Sequence, residues 1–233
     1  MMNKKINQKK ISIIEYYNLT NLNLLIGNKP INRYSNNNQI LNKTEELEKL
    51  KKQINEIKNC NLKTSSKNLV FGDGNPDSKI MLIGEGPGAQ EDIKGLPFVG
   101  AAGQLLDKML KAINLDRSVV YISNVVNFRP PNNRKPTDDE IKKYYPFLKK
   151  HIEIINPKIL VLLGATALNA IIGKENSISK IRGSWIKKSI GNSNLDIITT
   201  FHPAFLIRKP DQKKFAWNDL KLLKKKIDKL NII

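Results

Sequence analysis

Cysteine occurs once in this 233-residue chain, at Cys60. One thiol excludes a disulfide framework, and it excludes any metal or cluster site built wholly of cysteine within one chain. Histidine is almost as scarce: His151 and His202 are the two present. Long apolar runs are missing too, and the longest falls far short of the roughly 20 residues that a membrane-spanning helix needs. Residues 1–10 are basic, but no apolar signal core with a small-residue cleavage site follows them. Together these absences predict a soluble, cytoplasmic protein. Acidic residues are also few, with Asp+Glu 21 against Lys+Arg 40, a formal net charge of +19 and a pI near 9.9. Such an excess favours a polyanionic partner, most simply nucleic acid. The same count also fits a lysine-rich solvated surface. Neither a G-x-G-x-x-G fingerprint nor a Gly-Lys-Ser/Thr phosphate loop occurs, which argues against a nucleotide-binding glycine loop.

What is present begins with a change of character along the chain. Residues 1–56 are rich in Asn, Lys and Ile and read as a helical, low-complexity extension. Within it, 11–27 predicts a short helix and "NRYSNNNQ" (32–39) a linker. Residues 43–60 predict a charged helix with Leu47, Leu50, Ile54 and Ile57 on one face. Residues 57–233 form the main domain. There, apolar strands at 79–84, 119–126, 158–164 and 195–201 are separated by amphipathic helices. "TDDE" (137–140) is a capping box that opens a helix running to about Ile155. The pattern predicts a three-layer α/β/α sandwich around a mostly parallel four-stranded sheet. Ligands of such sheets bind beyond the carboxyl ends of the strands. Those ends carry Gly84–Glu85, Asn124, Gly164 and His202.

"GEGPGAQEDIKGLPFVGAAGQLLD" (84–107) combines bare backbone, carboxylates and one ring. Glu85 can hold a water or offset a developing positive charge; capping of nearby amides is the structural alternative. Phe98, in a glycine-rich loop, suits stacking against a base, although core packing is equally open to it. The amide of Asn124 offers an acceptor and donors that match the N3–H and O4 edge of uracil and mismatch cytosine. A structural Asn is again the alternative. His202, fixed in a turn by Pro203, can stabilise an oxyanion. His151, mid-helix among lysines, reads as surface. A pocket that holds a flat polar ring, places a carboxylate near a water and donates to a departing oxygen predicts hydrolysis of the N-glycosidic bond of a base flipped out of DNA.

The motifs "GEGPGAQED", "GLPFVGAAGQLLD", "YISNVVNFRPPNNRKP", "RGSW" and "HPAFLIR" closely resemble the family 4 uracil-DNA glycosylases over about residues 57–228. The resemblance implies a catalytic domain at 57–233 and a repair enzyme that releases uracil from single- or double-stranded DNA, acting as a monomer. It implies that Glu85 helps place the attacking water and that His202 donates to the uracil carbonyl. It implies that Phe98 stacks on uracil, that Asn124 reads the base edge, and that Gly86 offers it backbone. Glu91 would stand where the methyl group of thymine would go. Arg129 and Arg134 belong to one DNA-clamping loop. Phe205, Leu206 and Arg208 belong to another, which enters the minor groove. Typical members bind a [4Fe–4S] cluster through four cysteines. The matching positions here are Ile57, Cys60, Phe128 and Tyr144, so no cluster and no other cofactor is expected. Two alternatives stay open on the sequence: a uracil-DNA binding protein with little turnover, and an inactive DNA-binding module.

Overall fold

The computed structural model describes residues 33–175 and 177–232, with side chains from Lys43 onward. The expected helix at 11–27 lies outside the described residues. The compact unit that concerns the site is Ile40–Ile233.

The chain enters through helix α1 (Arg33–Asn55) and a short helix α2 (Asn61–Ser65). The expected linker at 32–39 is therefore helical from Arg33 onward. Helix propagation costs little once a nucleus exists, so a polar Asn run can be carried along by the amphipathic segment that follows it. Six strands form one sheet: β1 (Asp73–Gly74), β2 (Ile80–Gly84), β3 (Tyr121–Asn124), β4 (Ile159–Leu163), β5 (Trp185–Ile190) and β6 (Ser193–Thr200). Their order is β1-β3-β2-β4-β6-β5. The four central strands are the expected ones, and all of them run parallel. The expected count of four is short by two antiparallel edge strands, β1 on β3 and β5 on β6. Both escape a search for apolar runs, because β1 has two residues and β5, "WIKKSI", is half polar.

Helices cover both faces. They are α3 (Ala89–Lys94), α4 (Ala101–Lys111), α5 (Asp138–Ile155), α6 (Ala165–Ile171), α7 (Ile178–Ile181), α8 (Pro203–Arg208) and α9 (Lys213–Leu230). Strand side chains alternate between faces with period two, and the core divides accordingly. Met81, Ile83, Leu160, Leu162 and Ile197 pack with Leu47, Leu50 and Ile54 of α1, and with Tyr144, Leu148 and Ile152 of α5. Ile80, Leu82, Ile159, Val161 and Ile198 pack on the other side with Leu106 and Leu110 of α4 and Leu220 and Leu223 of α9. The three layers expected from the sequence follow directly from this division. Helix α5 begins with the predicted capping box. Glu140 N–H donates to Thr137 Oγ1 at 3.2 Å, and Thr137 N–H donates to Glu140 Oε2 at 2.7 Å.

His151 departs from expectation. It is 2 % exposed, not on the surface. Its Nε2 lies 2.9 Å from the Tyr121 hydroxyl, and its ring stacks on Phe71 at 4.3 Å between centroids. Flanking lysines suggested solvent, yet one helical turn either side places Leu148 and Ile155 on the same inward face.

Candidate active site

The parallel register sets Gly84 beside Asn124 and Leu163 beside Thr200. Glu85, Asn124, Gly164 and His202 therefore stand in a row at the carboxyl ends of four adjacent strands. A cavity of about 500 Å³ opens there. Glu85, Gly86, Glu91, Phe98, Asn124, Arg134, His202, Phe205 and Arg208 all line it. Nine residues singled out in the sequence thus share one space.

Gly84 shows why bare backbone is needed. A Cβ at this position would come within 2.4 Å of Asn124 Oδ1 and 2.5 Å of the Phe98 ring. Glycine lets the amide and the ring close over the strand end. Phe98 is buried at the cavity wall, 5.6 Å from the His202 ring between centroids.

Two polar atoms in the cavity lack protein partners. Asn124 Oδ1 and His202 Nε2 are both buried and unpaired. Such atoms are uncommon and point to a ligand or a water. His202 caps α8, its Nδ1 accepting from Ala204 N–H at 3.2 Å. Burial, reinforced by the charge of Arg208 and opposed by Glu91, lowers its pKa to about 4. The ring is thus neutral near pH 7. With Nδ1 accepting, the proton resides on Nε2, which becomes an unpartnered donor on a residue of the cavity wall.

Carboxylates fix the surroundings. Thr166 Oγ1 donates to Glu85 Oε2. Thr166 was not anticipated, although its place just after β4 is where such a partner would stand. Glu91 accepts from Gly88 N–H at 3.1 Å, Val99 N–H at 2.9 Å and Gly100 N–H at 2.8 Å. It closes the loop that carries Phe98.

The two expected DNA loops are less uniform. Arg134 lines the cavity but is forked onto Glu140, at 2.7 and 2.6 Å. Arg129 is not at the cavity wall; it donates to Asn133 Oδ1 at 2.8 Å. Leu206, expected in the loop that enters the minor groove, is 1 % exposed and packs in the core. Its neighbour Ile207, at 45 % exposure, is the apolar side chain that α8 presents outward. Sequence position alone could not tell which of two adjacent aliphatics points inward.

The four positions matching cluster ligands lie on one side of the sheet, and none of them lines this cavity. Cys60, Phe128 and Tyr144 are buried in one core, with Ile57 packed against it. Cys60 Sγ lies 3.2 Å from Tyr144 Oη. Ile57 and Phe128 carry no ligating atom, and a phenol is a hard donor, so this set does not fit a four-thiolate cluster. Among the described residues, no group of three or more His, Cys, Asp or Glu is placed to hold a metal ion.

Comparison with known proteins points to one family. The family model "Uracil DNA glycosylase superfamily" matches residues 71–221. The type-4 uracil-DNA glycosylase of Thermotoga maritima is 46% identical over 165 residues, 70% of this chain and 84% of the relative. That of Sulfurisphaera tokodaii is 42% identical over 185 residues, 77% of this chain and 84% of the relative. That of Archaeoglobus fulgidus is 37% identical over 181 residues, 76% of this chain and 91% of the relative.

Proposed function

Since the chain belongs to the uracil-DNA glycosylase superfamily, we propose that it releases uracil from DNA by hydrolysing the N-glycosidic bond, leaving an abasic site. The observation that carries this reading is the pair of buried, unpartnered atoms on Asn124 and His202, two residues that line one cavity with Glu85 and Phe98. A flipped uracil stacks on Phe98. Asn124 Oδ1 accepts from N3–H, and the Asn124 amide donates to O4. His202 Nε2–H donates to O2.

The C1′–N1 bond breaks with its electron pair passing to the base, and the sugar becomes oxocarbenium-like. The departing uracil anion places charge on O2, where the neutral His202 donor already waits. A donor oriented before the reaction stabilises that charge without reorganising. Glu85, held through Oε2 by Thr166, offers Oε1 to a water that attacks C1′ and gives up a proton. Glu91 occupies the side where a thymine methyl would enter. Arg208, Phe205 and Ile207 meet the DNA beside the flipped nucleotide, with Arg129 and Arg134 on the opposing loop. The protein works as a cytoplasmic monomer, with a catalytic domain that takes in residues 57–233 and the part of α1 whose Leu47, Leu50 and Ile54 pack in the same core. It needs no cluster, since Ile57 and Phe128 offer no ligating atom and Cys60 is the single thiol. Iron analysis and visible absorbance after anaerobic purification test that point: a colourless, folded, active protein is expected, and stoichiometric iron would refute it.

Single-turnover release of uracil from defined single- and double-stranded oligonucleotides tests the activity. Glu85→Gln and His202→Ala are each expected to slow release by ~10²-fold or more, the scale for losing a preorganised transition-state group. Wild-type protein that binds uracil-DNA without producing alkali-labile sites would overturn the proposal.

A further inference from the structure

We infer that Arg117, which lies outside the cavity wall, is a positioning residue for base recognition: it holds the backbone of Phe98 in the left-handed conformation that keeps the ring at the cavity. The inference rests on the reading of Phe98 as the stacking platform.

Seven non-glycine residues among those described have positive φ, and six of them are asparagine. Phe98, at φ 54°, is the exception. Asparagine enters this region readily, whereas a bulky aromatic is an outlier that its surroundings must impose. The surroundings are specific. Arg117 Nη1 donates to the Pro97 carbonyl at 3.1 Å, and Nη2 donates to the Phe98 carbonyl. Just after Phe98, the amides of Val99 and Gly100 both donate to Glu91 Oε1. Arg117 thus holds the carbonyls of the peptide groups on both sides of the strained residue, while Glu91 holds the N–H of the second of these and of the next one.

Arg117 is itself anchored to the scaffold. Its Nη1 also donates to Asp73 Oδ2 of β1 at 2.7 Å, and its Nε to Asp107 Oδ1 of α4 at 2.9 Å. One planar fork serves four acceptors on three parts of the fold, which a lysine ammonium cannot reproduce. The Phe98 carbonyl meets Arg117 only because α4 carries Gly103 at the crossing, where a Cβ would lie 1.7 Å from that oxygen. Backbone conformation, glycine and guanidinium therefore specify one ring placement between them.

If Arg117 acts through Phe98, its removal lowers kcat/KM by ~10-fold, since small misplacements of a positioning group cost this much or more. A double-mutant cycle with Arg117→Met and Phe98→Ala separates the possibilities. Uracil release is measured under single-turnover conditions, with inhibition by free uracil as a second readout and thermal unfolding as a third. Arg117→Met is expected to lower kcat/KM and to weaken free-uracil inhibition, and to do neither further in the Phe98→Ala background. Its effect on unfolding should persist in both backgrounds. Arg117→Lys, which retains one charge facing Asp73, guards against a misfolded Met variant and should fall between wild type and Met. Full additivity in kcat/KM, or a folded Arg117 variant with unchanged uracil inhibition while Phe98→Ala is impaired, overturns the inference alone. Wild-type kcat/KM in Phe98→Ala would instead overturn the stacking reading, and this inference with it.

Discussion

A buried polar atom without a partner costs about 1–3 kcal/mol, and the cavity keeps two of them, Asn124 Oδ1 and His202 Nε2. Both side chains reach the cavity from strand ends set by the sheet register. That cost is consistent with a site completed by its ligand. Asn124→Asp tests the division of labour within the amide. The variant keeps the acceptor for N3–H and loses the donor to O4, and a carboxylate accepts well from the amino group of cytosine. Uracil release is expected to fall and the ratio of uracil to cytosine excision to fall with it. Competition assays with oligonucleotides carrying either base measure that ratio; an unchanged rate and ratio would make Asn124 purely structural. At this scale the sequence shows which residues share the cavity where strand-end position restricts the choice, as with Glu85, Asn124 and His202. It reads poorly where only orientation matters. Leu206 and Ile207 are adjacent and chemically alike, and the core takes one while solvent takes the other. Thr166 and Arg117 act through the loops they hold, and nothing in their local sequence announces a partner 81 or 19 residues away.

Helix α5 gives the clearest consequence at the scale of elements. It buries His151 against Tyr121 and Phe71, and burial lowers the imidazole pKa to about 3. In the unfolded chain the same ring titrates near 6.5. The unfolded state therefore binds more protons between those values, and stability rises with pH across that window. The contribution is fully present above about pH 6.5 and is lost as the pH falls toward 3. From pH 7.5 to pH 5 this one residue should cost about 2 kcal/mol of stability, a window in which most carboxylates stay ionised. Urea unfolding at the two pH values measures it. His151→Gln retains a hydrogen-bonding group for Tyr121 and removes the titration, so its midpoint should move less between them. An equal shift in both proteins would place the acid sensitivity elsewhere. The central strands were legible because two helix layers bury them completely, which forces unbroken apolar runs such as "ILVLL". Edge strand β5 faces no such demand. Its visible signal was the two-residue turn Gly191–Asn192 joining Ile190 to Ser193, a hairpin signature. His151 was hidden by Lys149 and Lys150, yet it falls on the stripe of Tyr144, Leu148 and Ile155.

For the molecule as a whole, the excess of 40 basic over 21 acidic residues sets how it meets DNA. Arg134, Lys135 and Arg208 border the cavity, and Lys209, Lys213 and Lys214 follow Arg208 in the chain with exposed side chains. If roughly four to six phosphates are neutralised, affinity should fall about 10²–10³-fold between 50 and 200 mM salt through counterion release. Fluorescence anisotropy of a labelled duplex across that range checks it, and a flat response would mean that the charge merely solvates the surface. Among the described residues, both edges of the sheet are poorly suited to further growth. At one end β1 offers two residues, and at the other β5 carries Lys187 and Lys188. Short or lysine-bearing margins are poor templates for a foreign strand. Strand-to-strand pairing between neighbouring copies of the described unit is therefore expected to be weak even where many of them share one stretch of DNA.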